Sequence, residues 1–404
     1  MTLGDFIQNS GFDFEYPRSL YLHIPFCAHK CAYCDFHSLP IGFGQAPRAQ
    51  ARSYARNLTR RVAAASPLFL QGLRTIYVGG GTPTVLDPES LALVLGTLGN
   101  YAMPDLEEWT VEANPESLDP QKLDIMAEAG VTRISIGIQT MNDGELSVLG
   151  RTASTELNLS ALRLARSRGL AVSADLIGGI PFFPSAPLPR RLSLAEQASI
   201  LLEAGVCHLS IYDLTVEAST PLAKRLERGE LALPPEDSAH DERKEAESFL
   251  SGKGFNRYEV SNFAPAGNES IHNGVYWALD SYLGLGSSAV STLIGRGRPE
   301  SMRIEEDAAG SIAISEVGAR DSAFEFVMMG LRTAQGPSLS RFSSRFGVDL
   351  LGLLCKTMDR FSDRFARKGD YLALDDRGLD ILNAILLSVL YDMDDGFAQK
   401  DASS

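Results

Sequence analysis

The stretch SLYLHIPFCAHKCAYC, residues 19–34, governs the fold because a short strand pattern leads directly into three closely spaced cysteines. Residues 19–24 are rich in leucine, tyrosine and isoleucine, which is typical of a buried β-strand. Cys27, Cys31 and Cys34 follow, with three and then two residues between them. Because thiolates are soft ligands, this loop can hold zinc or an iron–sulfur cluster.

The two kinds of metal centre make different demands on the chain. A closed zinc site needs a fourth ligand, and three histidines are close in the sequence: His23, His29 and His37. An iron–sulfur cluster usually has four cysteines, so a cluster with three keeps one iron open to a small molecule. Cys207 and Cys355 are isolated and are interpreted as small buried hydrophobes.

Residues 19–24 are the first of six strand-like runs, each followed by a helical pattern. The runs are residues 19–24, 75–80, 108–113, 133–138, 171–178 and 208–214. Helix-end residues agree with this division: Asp119 and Pro120 predict a helix start, and Gly130, Gly169 and Gly205 predict helix ends. Alternating strands and helices predict a mostly parallel sheet, which is compatible with a barrel or an open doubly wound sheet.

Polar and glycine-rich motifs follow five consecutive strands, at the edge where both architectures place their functional loops. The motifs are IPFCAHKCAYC (24–34), GGGTPT (79–84), EANPES (112–117), GIQT (137–140) and GGIP (178–181). Glycines allow close approach of the backbone to a ligand, and Glu112 offers a carboxylate to an amine or to ribose hydroxyls. Asp175 lies in an apolar run, where an unpaired carboxylate is costly. We therefore expect a ligand pocket at this edge.

The cysteine spacing after the first strand resembles the signature of the radical S-adenosylmethionine (SAM) enzymes, and Tyr33 also fits that pattern. The resemblance implies that Cys27, Cys31 and Cys34 hold a [4Fe-4S] cluster. It further implies that the open iron binds the amino and carboxylate groups of SAM. An electron from the cluster then cleaves the sulfonium to give a 5′-deoxyadenosyl radical.

The motifs together, including LGRT (149–152) and DLIGGIP (175–181), resemble the HemN/HemW branch of that superfamily. The resemblance implies an α/β fold: a partial (β/α)6 TIM-type barrel of the radical SAM kind over residues 16–300, with a C-terminal strand extension. A small α-rich C-terminal domain of the HemN type is expected over 318–395. Matching positions imply SAM contacts from Tyr21, Tyr33, Gly80, Gly81, Thr82, Glu112, Gln139, Arg151 and Asp175.

Two functions compete within that branch: a haem-binding, haem-delivering protein, and the oxygen-independent coproporphyrinogen III dehydrogenase. A chain that resembled the dehydrogenase would have a further cysteine two positions after Cys34, where this chain has Phe36. It would also require a longer N-terminal extension than the 26 residues before Cys27. The segment IHNGVYW (271–277) resembles the HNxxYW motif of the haem-delivering type, which makes His272 the candidate haem-iron ligand. Phe36 and this motif favour haem delivery, with an unidentified protein as the recipient, and whether SAM is turned over stays open.

Composition excludes several other classes. The 404 residues carry a net charge of −14, which disfavours a nucleic-acid partner. The first residues lack the pattern of a signal peptide, and the chain has no apolar run of the length needed to cross a bilayer. We therefore expect a cytoplasmic protein. GLGSSA (284–289) is a weak match to a dinucleotide fingerprint and is interpreted as a turn.

Overall fold

The computed structural model of the 404-residue chain describes residues 11–42, 45–70, 72–101, 105–184 and 191–402. The first ten residues, which carry much of the prediction that no signal peptide is present, lie outside the described residues. None of the helices in the described ranges combines the length and apolarity that a membrane crossing needs.

The six predicted strands are all present, with ends that differ from the predicted ones by at most one residue. They are β1 (Ser19–Ile24), β4 (Thr75–Gly80), β5 (Glu108–Ala113), β6 (Arg133–Gln139), β7 (Ala171–Gly178) and β8 (His208–Asp213). Between β1 and β4 the cysteine loop contains a short parallel pair, β2 (Phe26–Cys27) and β3 (Leu39–Pro40). Each of the six lies beside the next one in the chain, and every pair is parallel.

This strand order distinguishes the two predicted architectures. An open doubly wound sheet reverses its strand order at a switch point, whereas a barrel adds each strand beside the last. Here β11 (Leu283–Leu285) lies parallel to β1, and β10 (Asn262–Ala264) lies antiparallel to β8, followed by β9 (Asn256–Arg257). Since β1 and β8 pair with these outer strands and not with each other, the six-stranded barrel is partial, as expected.

Within the described ranges, eight helices accompany the barrel strands. They are α1 (Gln45–Phe69), α2 (Pro88–Gly99), α3 (Pro120–Ala129), α4 (Asp143–Val148), α5 (Thr155–Arg166), α6 (Leu194–Glu203), α7 (Pro221–Glu227) and α8 (Glu236–Gly252). The predicted start of α3 is confirmed, because the Asp119 side chain accepts a hydrogen bond from the backbone N–H of Lys122. Its predicted end is confirmed by Gly130, whose φ of 94° is left-handed.

The two faces of each barrel strand differ in polarity. On β5, Trp109 and Val111 are fully buried in the main hydrophobic core, whereas Thr110 and Glu112 line the interior of the barrel. Closed barrels of this class usually fill the interior with branched apolar side chains. The interior of this barrel is instead polar and hollow, which leaves room for a ligand.

The remainder of the chain holds more strands than the sequence indicated. After α9 (Ile271–Trp277) and β11, an antiparallel sheet forms from β12 (Val290–Ile294), β13 (Ser301–Glu306) and β14 (Ile312–Val317). The 284–289 motif therefore leads into a strand and not into the helix that a dinucleotide fingerprint requires, which agrees with its interpretation as a turn.

The C-terminal region is mainly helical, with its own apolar core around Phe326, Phe342 and Phe346. Its helices are α10 (Ala319–Leu331), α11 (Leu339–Phe346), α12 (Leu350–Leu353), α13 (Cys355–Arg360), α14 (Asp376–Asp380) and α15 (Leu382–Ala402). A hairpin of β15 (Phe365–Lys368) and β16 (Tyr371–Leu374) lies between α13 and α14. The α-rich character is as expected, and the exact domain boundaries stay a prediction.

Candidate cofactor site

A cavity of about 470 Å³ opens at the carboxyl ends of the parallel strands and continues into the barrel interior. Of the thirteen residues predicted for the site, eleven line it. These are Cys27, Cys31, Tyr33, Cys34, Gly80, Gly81, Thr82, Glu112, Gln139, Arg151 and Asp175. The structure therefore brings together motifs from the first five strand–helix units, whereas Tyr21 and His272 lie outside this lining.

The cysteine loop presents free thiols to the cavity, and two of them face a hydrogen-bond donor from another loop. The Thr82 hydroxyl donates to the sulfur of Cys27 over 3.7 Å. The guanidinium of Arg151 donates to the sulfur of Cys31 over 3.6 Å. Donors arranged around sulfur favour the deprotonated form that binds metal.

The electrostatics at Cys31 favour a thiolate. Burial would raise the pKa of the Cys31 thiol, but hydrogen bonds from His29 and Arg151, with the charge of Arg151, lower it on balance. Burial raises the pKa of Cys27 and of Cys34. Metal binding displaces thiol protons, so a preformed donor set around one cysteine assists assembly of a metal centre.

A cluster and a single ion place different demands on the cysteine geometry. Within the described ranges, no group of three or more histidine, cysteine, aspartate or glutamate side chains converges closely enough to hold one metal ion. A zinc ion needs all its sulfur ligands at about 2.3 Å from one point. Cysteines of an iron–sulfur cluster bind different irons, so they need not converge so tightly.

Neighbouring residues pack so closely around residues 79–81 that only glycine fits at these positions. A Cβ added to Gly79 would lie 2.7 Å from the carboxyl carbon of Glu112. Gly80 has a left-handed φ of 110°, and a Cβ at this position would overlap the His23 ring. Its N–H donates to Glu112 over 3.0 Å. A Cβ on Gly81 would overlap the backbone of Phe26. The three glycines thus let β4, β5 and the cysteine loop meet at the cavity.

Two half-buried carboxyl groups face the interior. Burial raises the pKa of Glu112 to about 7, although Tyr77 donates to it over 2.7 Å. Burial likewise raises the pKa of Asp175 to about 6. A cationic ligand in the cavity would favour the ionised form of both groups, so this pair is suited to an amine or sulfonium.

One residue at the centre of the site was missed by sequence reasoning. Asn114 donates to the Thr82 hydroxyl over 2.8 Å and accepts from the Arg151 guanidinium over 2.9 Å. It therefore connects the two donors that face Cys27 and Cys31. Its position two residues after Glu112 in EANPES was the available signal, since that motif follows a strand directly.

Gln139 lines the cavity in an unfavourable backbone conformation. Its φ of 67° is left-handed, and the pairing of β6 with β7 is irregular between Gly137 and Gln139. The carbonyl of Gly137 accepts a hydrogen bond from Arg151 over 2.6 Å. Non-glycine residues in this conformation are often found at binding sites, where the surroundings enforce them.

His272, the predicted haem-iron ligand, lies inside the protein with both ring nitrogens engaged. It is 0% exposed, its Nδ1 lies 2.8 Å from the Thr75 hydroxyl, and its Nε2 lies 2.8 Å from the Tyr276 hydroxyl. Thr75 donates its own proton to Ser19, so Nδ1 carries a hydrogen and Nε2 accepts from Tyr276. Burial lowers the pKa of His272 to about 3, so the ring is neutral. Binding of iron by Nε2 would require the Tyr276 hydroxyl to leave.

Tyr21 lies beside the main cavity. Its hydroxyl is 2.9 Å from Nδ1 of His23, and its ring lines a neighbouring cavity of about 320 Å³ together with Tyr77 and Glu112. Its predicted contact with SAM therefore stays a prediction.

Comparisons with known proteins agree with this site. The family described as the Radical SAM superfamily matches residues 21–190, and the HemN C-terminal domain matches residues 318–381. The Heme chaperone HemW of Bacillus subtilis is 32% identical over 358 residues, which cover 86% of this chain and 92% of that protein. The bovine protein called Radical S-adenosyl methionine domain-containing protein 1, mitochondrial, is 32% identical over 96% of this chain and 90% of its own length.

A solved structure supports the fold alone. Coproporphyrinogen III oxidase (HemN) from Escherichia coli superimposes with a TM-score of 0.77 at 20% identity, covering 96% of this chain and 93% of that one. The partial barrel and its cysteine loop thus define a radical SAM protein. Within that superfamily, the chain belongs to the HemN/HemW family.

Membership implies a [4Fe-4S] cluster and SAM. Cys27, Cys31 and Cys34 are the residues that would hold the cluster, with Arg151 and Thr82 as donors to two of the sulfurs. When bound, the cluster supplies the electron that cleaves SAM. Glu112 and Asp175 would receive the positive charge of SAM, because both are half-buried carboxyl groups that line the same cavity.

Proposed function

We propose that this protein binds haem and delivers it to a haem-dependent protein. The observation that carries the proposal is Phe36, which is 68% exposed in the lining of the main cavity, where a dehydrogenase of this family would have a further cysteine. An exposed aromatic ring beside the cysteine loop offers an apolar contact for a ligand and no fourth thiolate. The relatives named Heme chaperone HemW, at 32% and 34% identity, support the same function.

The axial ligand that we propose for the haem iron is His272. The hydroxyl of Tyr276 lies 2.8 Å from its Nε2 atom, and Tyr276 lines the 320 Å³ cavity. Rotation of the Tyr276 side chain would therefore expose an imidazole lone pair to that cavity. A neutral imidazole with the other nitrogen protonated is the form that binds haem iron.

The proposed partners are SAM, haem or a porphyrin, and a haem-accepting protein. We also propose a cytoplasmic location, which the sequence favours, although two relatives carry a mitochondrial name. All five cysteines are free, which is compatible with a reducing compartment.

The second candidate function is oxygen-independent coproporphyrinogen III dehydrogenation. The hollow interior favours it, because Ser135, Ser173 and Ser210 extend the polar lining beyond Glu112 and could receive a substrate beside SAM. The two functions separate in one experiment on an anaerobically reconstituted sample. Haem titration followed by absorbance should give saturable binding, and coproporphyrinogen III with SAM and a reductant should give no protoporphyrinogen IX. Turnover without haem binding would reverse the ranking.

A further inference from the structure

The second cavity, of about 320 Å³, has its own far wall and shares four lining residues with the main one: Tyr77, Glu112, Tyr212 and Asn273. That wall includes Trp277 at the end of α9 and Arg332 directly after α10. The cavity therefore lies where the C-terminal helical region meets the barrel, and it opens beside the predicted cofactor site.

Three polar atoms of this wall have no hydrogen-bond partner among the described residues. They are Nε of Arg332, Nε1 of Trp277 and Oδ1 of Asn262, and each is a buried atom. Asn262 is only 3% exposed. Because buried polar groups are normally paired, three of them around one cavity indicate a polar ligand.

The two unpaired donors lie next to each other. The guanidinium carbon of Arg332 is 4.9 Å from the centroid of the Trp277 ring. Among the described residues, the charged neighbour of Arg332 is Glu259. An arginine N–H and an indole N–H side by side are suited to an anionic oxygen acceptor.

The charge around this pair favours a monoanion. Glu259, 1% exposed, lines the same cavity and interacts with Arg332, and burial raises its pKa. A ligand with two negative charges would be repelled by Glu259 when that group is ionised. A single carboxylate carries one negative charge and matches the guanidinium fork.

The walls of the second cavity also carry aromatic rings. Tyr276 and Trp277 line one side, and Tyr212, 44% exposed, lines another. Aromatic rings favour contact with a flat unsaturated ligand. We infer that this cavity binds a carboxylate-bearing edge of a tetrapyrrole, with the Arg332 guanidinium and the Trp277 indole N–H as donors to the carboxylate. The inference rests on the proposed function, and it also holds for the second candidate, because both haem and coproporphyrinogen carry propionates.

The test compares Arg332→Gln with the intact protein, using haem and haem dimethyl ester as probes in absorbance titrations. Glutamine keeps a polar side chain of similar reach but removes the charge. Arg341→Gln is the matched control, because Arg341 lies on α11 and pairs with Asp280 outside the cavity. We expect Arg332→Gln to weaken haem binding by about tenfold to a hundredfold and the ester to bind equally to both proteins. Arg341→Gln should bind haem like the intact protein.

Equal haem affinity for the intact protein and Arg332→Gln would overturn the inference while leaving haem binding itself intact. Equal weakening of haem and ester by Arg332→Gln would also overturn it, because the lost contact would not involve the carboxylate. A third probe, metal-free coproporphyrin III, separates the two proposals. If haem does not bind but this porphyrin binds in an Arg332-dependent manner, haem delivery fails and the carboxylate site stands. If neither tetrapyrrole binds, both fail.

Discussion

The guanidinium of Arg151 donates to the sulfur of Cys31 over 3.6 Å, although 120 positions separate the two residues in the chain. Arg151 follows the fourth strand of the barrel and Cys31 follows the first, so the contact exists only when the barrel has formed. Asn114 fixes the same guanidinium from the third strand. The electrostatic environment of the cysteine loop is thus a product of the parallel sheet.

We predict that Cys31→Ala prevents assembly of the cluster. Removing one of three thiolates leaves two ligands, which cannot hold the cluster stably. The measurement is iron and sulfide per chain after anaerobic reconstitution, with the absorbance of the cluster. Cys207→Ala is the matched control, because Cys207 lies outside the cavity, and it should retain full loading. Full absorbance in Cys31→Ala would refute the ligand assignment.

We predict that Asn114→Ala makes the reduction potential of the cluster more negative. Donors near the sulfurs stabilise the reduced, more negatively charged cluster, and Asn114 holds both Thr82 and Arg151 in position. The potential is measured by redox titration followed by electron paramagnetic resonance. Asn158→Ala is the control, since this buried asparagine bonds only to backbone carbonyls of 138 and 140. A shift of equal size in both variants would contradict the positioning role.

We predict that the free energy of unfolding of the apoprotein contains a component that falls as pH rises from about 4.5 to 7. The folded pKa of Glu112 is raised to about 7, so the folded state keeps a proton that the unfolded chain loses at lower pH. This contribution to the free energy of unfolding is complete at pH values below the pKa of Glu112 in the unfolded chain. It is lost as the pH rises through the pKa of Glu112 in the folded state, a change of about 3 kcal/mol. Asp175, raised to about 6, contributes with the same sign.

The measurement for Glu112 is urea denaturation at pH 5 and pH 8. Glu112→Gln, whose single amide oxygen can accept from Tyr77 or Gly80 but whose charge does not titrate, should be stabilised relative to the intact protein more at pH 8 than at pH 5. Glu156→Gln, a change at an exposed glutamate of α5, should have no such pH dependence. Identical pH profiles for the Glu112 variant and the intact protein would exclude a titrating Glu112.

We predict that His272→Ala changes the absorption spectrum of the haem-loaded protein, whereas Tyr276→Phe retains it. Phenylalanine removes the hydroxyl that covers Nε2 and leaves the imidazole free to bind iron. His272→Ala should also cost about 2–4 kcal/mol of stability, because it leaves a cavity and removes the hydrogen bond between His272 and Thr75. His208→Ala, at another buried histidine, is the control for the stability loss alone. An unchanged spectrum in His272→Ala would exclude it as the ligand.

Much of the barrel could be predicted from the sequence, because its signals are local. The strand runs, the cap at Asp119 and the helix-ending glycines depend on neighbouring residues only, and the structure has them where expected. The motifs after the strands could also be assembled into one site, since carboxyl ends of parallel strands share an edge. This single rule accounts for most of the cavity lining.

What could not be predicted depends on contacts between distant segments. Strand β14 is exposed along most of its length, so it lacks the alternation that identifies a strand. His272 is enclosed because its ring packs on Tyr77, which lies on β4, and on Tyr276, which lies on the same helix as His272. Asn114 and Arg332 look like ordinary polar residues until the fold brings their partners to them.

The most direct test of the account is a titration of the anaerobically reconstituted protein with haem, followed by absorbance and by analysis of bound haem after gel filtration. The account predicts saturable binding of about one haem per chain that survives the column, together with no formation of protoporphyrinogen IX from coproporphyrinogen III in the same sample. A reconstituted protein with a full cluster that retains no haem and converts coproporphyrinogen III would contradict it.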